Sequence, residues 1–269
     1  PVAIKNYYAL LVEKKRLEKD ITSVDITLYF LSVIESLFNN PAFDSNKKEK
    51  MSNFCLSCNK RWILDQQDAA VALQLILSNL YESDNFVLKS TYIRDLFSFT
   101  YTSSKNPAPS KVDIFRINYG WLKNWTSSQQ ISLKDLFTAF VTQNLENGLN
   151  VFLGTNLKIS ALSSYFIIWL DCIYADDVTQ YKIKVNIKKD FIFQLPFSII
   201  SPKIENHRYG LIAVAHHIGE DFISGHWVSH TKYGQQWYFN DDASVTKAND
   251  SDVENYNDGQ TTIFIYKKL

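Results

Sequence analysis

The hydrophobic period of the chain changes at about residue 150, and this constrains its fold more than any other feature. Before that point apolar residues recur three and four apart, the spacing of one helical face. After it they fall in short blocks separated by polar turns, the mark of strands. Residues 24–39 begin at a candidate N-cap, Asp25, and carry Leu28, Tyr29, Phe30, Leu31, Val33, Ile34, Leu37 and Phe38, before Asn39-Asn40-Pro41 ends the run. A helix apolar on nearly every side is expected to be central and buried. A second helix is expected after Asp65, with Ala69, Ala72, Leu73, Ile76, Leu77 and Leu80 along one face. A third carries Ser132 and Asp135 in a capping-box pattern, a face of Leu133, Leu136, Phe137, Phe140 and Val141, and a stop at Gly148. Strands are expected at 166–170, 181–187, 209–215, 226–230, 236–239 and 262–266. Helices followed by a mostly antiparallel sheet make an α+β fold. Residues 98–130 fit neither period, and Ser103–Ser110 reads as a loop.

Composition narrows the function classes. With 269 residues the chain can bury a substantial core, and 46% hydrophobic content marks it as globular. Lys+Arg and Asp+Glu are both 28, a balance that argues against direct nucleic-acid binding as the main role. Three cysteines, Cys55, Cys58 and Cys172, are too few for a disulfide scaffold and read as reduced thiols of an intracellular protein, nuclear or cytoplasmic. No apolar run reaches the roughly 18 residues of a membrane span. Opening on Pro1 instead of Met, the chain reads as a domain excised from a longer protein.

The chemistry-bearing pattern lies in the last third. The blocks are Tyr209-Gly-Leu-Ile-Ala-Val-Ala-His-His-Ile-Gly219, Gly225-His226-Trp227 and Trp237-Tyr-Phe-Asn-Asp-Asp242. His226 and Asp241 suit a base and the carboxylate that orients it. These blocks resemble the His and Asp boxes of the ubiquitin-specific proteases. The resemblance runs from about residue 20 to the C-terminus and takes in Gln66-Gln67-Asp68-Ala69, Leu96-Phe97 and the closing strand Thr262–Tyr266. It implies a single papain-like domain, with a helical thumb over about 20–97, β fingers over 98–160 and an antiparallel-sheet palm over 161–269.

Those anchors set the N-terminal register. The family's Asn-Thr-Cys-Tyr box falls on Ile26-Thr27-Leu28-Tyr29, with Ser32, Ile34 and Leu37 continuing the pattern. The resemblance therefore places Leu28 at the nucleophile position and Ser23 at the oxyanion-hole Asn. A thiolate attacks because it is ionised and intrinsically nucleophilic, and a hydrocarbon cannot replace it. Cys55 and Cys58 could be a relocated nucleophile, but they read as ordinary thiols. Ser32, one turn beyond Leu28, reads as a packed or capped serine.

The family commonly holds one zinc between two Cys-x-x-Cys knuckles in the fingers. Their positions here fall near Ser103–Ser110 and Val151–Leu157, where no cysteine stands, so no zinc and no other cofactor is expected. His226 and His230, four apart on a strand, would lie about 13 Å apart and could not share a metal. His216 and His217 would point to opposite faces, and every histidine except His226 reads as a structural or surface residue.

The resulting expectation is a catalytically inactive domain that serves as a protein-binding scaffold within a larger assembly. The alternatives are a non-cleaving receptor for ubiquitin or a ubiquitin-like protein, and an active cysteine deubiquitinase with a displaced nucleophile. Protein partners are implied, with no membrane. Tyr119, Trp121 and Trp125 are candidate anchors on the fingers, or a local core in place of the metal.

Overall fold

The computed structural model describes residues 25–32, 45–58, 68–88, 91–118, 122–123, 130–142, 156–175, 180–219, 225–242, 244–256 and 260–269. The chain divides into two compact units, Pro1–Arg94 and Asp95–Leu269.

The first unit is helical among its described residues. It holds α1 (25–32), α2 (Ser45–Cys58) and α3 (Ala69–Leu88), while α4 (Tyr92–Phe97) carries the boundary. Ile26 and Phe54 are buried together, with Phe30, Cys55 and Ile76 packed on them, which ties the three helices to one another. Thr27, 1% exposed, donates to the Asn79 carbonyl at 3.2 Å and shares a hydrogen bond with Ser83 at 2.8 Å. The expectation of a helix buried all round does not hold over 25–32. Ile26, Thr27 and Leu31 are buried, Leu28 and Phe30 are half-buried, and Tyr29 is 40% exposed. Leu28 therefore adds only partly to the core. The start of α3 lies later than expected, because Asp68 caps it: its Oδ1 accepts from the amides of Ala70 at 2.7 Å and Val71 at 3.3 Å. Asp65, Val33–Phe38 and Gly148 lie outside the described residues.

The second unit is built on a large sheet. Its order is β14 (Ser244–Ala248), β13 (Gln236–Asp241), β12 (His226–Tyr233), β11 (Arg208–Ile218), β15 (Gln260–Lys268), β6 (Tyr165–Leu170) and β3 (Ile114–Ile117), with β10 (Ile192–Gln194) also on β11. All pairings in it are antiparallel except that of β3 with β6. A second sheet joins β2 (Ser110–Val112), β1 (Phe99–Thr102) and β5 (Lys158–Ala161). Two short pairs, β4 (Ile131–Ser132) with β9 (Ile187–Lys188) and β7 (Ile173–Ala175) with β8 (Gln180–Lys182), complete the strands. The span 98–160, expected as fingers, thus gives strand β3 to the large sheet, with Phe115 and Ile117 buried.

Helix α5 (Leu133–Thr142) forms as its sequence predicts. Asp135 N donates to Ser132 Oγ at 3.0 Å, and the buried face is Leu133, Leu136, Phe137, Phe140 and Val141. Phe137 meets Phe115, Phe166 and Phe193 edge-on, with ring centroids 5.3, 5.2 and 5.5 Å away. Tyr209 and Tyr266 bury their rings in the same cluster and donate their hydroxyls to the carbonyls of Ser163 and Asp190, each at 2.9 Å. Residues 181–187 do not form one strand. Between β8 and β9, Ile183 N donates to Cys172 O and Val185 N to Gln260 Oε1, so these amides are satisfied away from any ladder.

Candidate functional site

Three adjacent strands of the large sheet carry four of the five histidines and Asp241. His226 is the first residue of β12, across from Ile218 on β11. Gly225 before it is required by space: an added Cβ would stand 2.4 Å from His217 Nε2 and 2.5 Å from the Ile218 carbonyl. Asp241 ends β13. Ser229 faces Asn240, so the register places Asp241 across from Val228 and diagonal to His226, within side-chain reach. A tight reversal follows, because Asp241 already faces Ser244 and Asp242 takes a left-handed φ of 48°. Short polar residues tolerate that conformation best. Asn240 steadies the strand by donating Nδ2 to Thr231 Oγ1 at 3.1 Å and to the Ser229 carbonyl at 3.2 Å.

His226 Nε2 and Asp241 Oδ1 are 2.5 Å apart, with both side chains about two-fifths exposed. The carboxylate holds one ring nitrogen, which fixes the tautomer and leaves Nδ1 as the atom that could take a proton. In chemical terms this is a general base with its orienter, open to solvent.

The histidine pair before it behaves as the strand alternation requires. His217 lies against Trp227, centroids 4.8 Å apart, and its Nδ1 is 2.8 Å from Lys182 Nζ. Lys182 also donates to the carbonyls of His217 and Gly219, at 2.9 and 2.8 Å. Burial, assisted by Lys182, holds His217 down at about 4; burial likewise lowers the ammonium of Lys182. On the opposite face His216 Nδ1 meets Thr261 Oγ1 at 2.8 Å and its Nε2 meets His230 Nδ1 at 3.2 Å, with Tyr256 against both rings. Burial pushes His216 to about 2 and His230 to about 4, with Lys189 adding to both. His207 is buried beside Phe197 and Gln194. These four histidines are therefore internal, and none of them is a surface residue. Lys182 and Lys189 lie in no motif that would mark them in the sequence. Lys189 is 3% exposed and donates to the carbonyls of Glu254 and Tyr256.

Leu28 lies in the helical unit as described above, and Ser32 Oγ donates to the Tyr29 carbonyl at 2.8 Å, a capped serine. Cys55 is half-buried on α2, and burial raises its thiol pKa. Cys172 is 2% exposed. Ser23, Tyr119, Trp121 and Trp125 lie outside the described residues, as does the side chain of Cys58.

At the first expected zinc knuckle, Ser103 and Asn106 hold each other. Asn106 N donates to Ser103 Oγ at 3.1 Å, Ser103 N donates to Asn106 O at 2.9 Å, and Asn106 Nδ2 donates to Tyr101 Oη at 3.3 Å. Hydroxyl and amide groups already bonded to one another do not fit a tetrahedral structural zinc. Among the described residues, the group of metal-capable side chains closest together is His226, Asp241 and Asp242, with donor atoms within 4.8 Å. A metal there would have to displace the His226–Asp241 hydrogen bond.

A histidine at the head of one strand is thus held by an aspartate at the tail of the next. The chain belongs to the ubiquitin carboxyl-terminal hydrolase family, whose model matches residues 3–266. Solved structures agree on the fold. A chain of the SAGA Ubp8/Sgf11/Sus1/Sgf73 DUB module bound to ubiquitin aldehyde is similar with TM-score 0.65 and 14% identity, over 97% of this chain and 63% of that one. A chain of the SAGA Ubp8/Sgf11/Sus1/Sgf73 DUB module in another structure gives 0.66 and 16%, over 94% and 59%. One with a Ubp8 variant bound to monoubiquitin gives 0.61 and 15%, over 92% and 58%. The chain spans about three-fifths of the length of these structures. No curated protein matches it in sequence. Among the described residues, no helix is long and apolar enough to cross a membrane.

Proposed function

We propose that this is a catalytically inactive member of the family, kept as a protein-binding scaffold within a larger intracellular assembly. What carries the reading is the sequence register that puts Leu28 at the family's nucleophile position, taken together with the hydrogen-bonded His226–Asp241 pair. No base can activate a hydrocarbon. The oxyanion position is Ser23 in place of Asn, so two parts of the machinery depart together. The substitutes are poor. The Cys55 thiol has a raised pKa, where a nucleophilic cysteine needs a lowered one. Ser32 spends its hydroxyl on its own helix.

A ubiquitin-holding version of this role is favoured by one finding: two of the similar structures are described with ubiquitin aldehyde or monoubiquitin bound. In this version the fingers and palm would hold ubiquitin without cutting it. Tyr119, Trp121 and Trp125 remain proposed partner anchors on the fingers. The test is turnover of a ubiquitin C-terminal amide by the purified chain. No turnover is expected. Turnover that is lost in His226→Ala would overturn the inactive reading and return the domain to the enzymes.

A further inference from the structure

The large sheet contains a fork. β15 runs along one edge of β11 over 209–217, so the other edge is shared by β10 over 208–210 and β12 over 213–218. The two strands part at Leu211 and Ile212, and a cleft of about 470 Å³ opens between them. Its apolar lining includes Leu211, Ile212 and two side chains that face solvent, Ile192 at 48% and Leu269 at 57% exposure. Lys232, Lys267 and Lys268 also line it.

Lysines outnumber carboxylate side chains around this cleft. None of the ion pairs among the described residues involves Lys232, Lys267 or Lys268. Lys232 stands 5.4 Å from the centre of the Trp237 ring, a cation–π contact that leaves its charge available. The one side-chain carboxylate in the lining, Asp250, accepts from Trp237 Nε1 at 2.7 Å, and the main-chain oxygen of Leu269 accepts from Asn206 Nδ2 at 2.7 Å. Three lysines against one aspartate make the side chains of the lining net positive, on a chain whose overall charge is zero.

We propose that this cleft is a docking surface for an acidic segment of a partner protein that carries an aliphatic anchor. The anchor would cover Ile192 and Leu269, and carboxylates on either side would pair with the three lysines. A nucleic acid would meet the lysines but offers no aliphatic group for the exposed apolar floor. The proposal does not depend on whether the domain hydrolyses ubiquitin, because neither His226 nor Asp241 lines the cleft.

The test uses the whole chain and a short fluorescent peptide of glutamates flanking a Leu-Glu-Leu centre, read by anisotropy. Binding should weaken at least about tenfold for the Lys267→Glu/Lys268→Glu double variant, and similarly for Ile192→Asp. These side chains are exposed, so folding should persist, and circular dichroism checks it. If Ile192→Asp unfolds, the lysine variant and the peptides decide. A peptide with both leucines replaced by serine should bind at least about tenfold more weakly than the parent. No binding by the parent peptide, or unchanged affinity in the folded variants, would overturn the proposal. Equal affinity for the serine peptide or for a single-stranded oligonucleotide would do the same, reducing the cleft to a general polyanion patch.

Discussion

Mild acid should remove much of the stability of the sheet-bearing unit, and the cause is a set of three internal histidines. His216, His217 and His230 are 0%, 6% and 2% exposed. Burial, aided by nearby lysines, holds their folded pKa values at about 2, 4 and 4. In the unfolded chain each returns to about 6.5. As pH falls through about 6.5 the unfolded form takes up a proton at each ring while the folded form does not. The unfolded state then binds more protons, so the stability is whole above that pH and declines below it, down towards the folded pKa values. Between about pH 7 and about pH 5 this linkage gives roughly 1.8 kcal/mol per histidine. The sum is about 5 kcal/mol. That is a large share of a typical domain's stability of about 5–15 kcal/mol. Urea unfolding followed by tryptophan fluorescence across this range measures it. His230→Gln should reduce the pH slope by about one proton, even though it lowers stability at neutral pH. A midpoint that stays constant between about pH 7 and about pH 5 would refute the account of these histidines as neutral core groups.

Two further outcomes follow from the geometry of the site. Gly225→Ala should cost about 1–3 kcal/mol in urea or thermal unfolding, because the new Cβ would fall 2.5 Å from the Ile218 carbonyl, a backbone atom that cannot rotate away. Leu28→Cys should restore little activity towards a ubiquitin C-terminal amide, since a missing oxyanion donor alone costs about 10²–10³ in rate. Rates near those of active family members would mean that Ser23 and the rest of the site are competent.

What could be read from the sequence was what depends on neighbours along the chain. The buried face and cap of α5 follow from a helical period and a serine three residues before an aspartate, both local signals. The His226–Asp241 pair was legible only through the resemblance of its two blocks to the family's His and Asp boxes, and the register of two adjacent strands brings the side chains together. What escaped was settled by distant partners. β10 has three residues and exists as a strand only because β11 lies beside it. The break at 183–186 arises because Val185 is bonded to a glutamine side chain seventy-five residues away. Lys182 alternates with apolar residues as a surface lysine would, and Lys189 falls on the apolar parity of Ile183, Val185 and Ile187; carbonyls from other elements hold both. Helix α2 has a polar, weakly patterned sequence, and the pairing of His216 with His230 joins two strands that no periodicity links. The aromatic spacing in α1 suggested a helix enclosed on all sides, but Tyr29 faces solvent.

The central claim, a family frame without its nucleophile, is tested most directly by a ubiquitin probe with an electrophilic C-terminus. The account predicts no covalent adduct by intact-mass spectrometry, with or without non-covalent retention of the probe. A covalent adduct on any residue of the wild-type chain, abolished by His226→Ala, would contradict it.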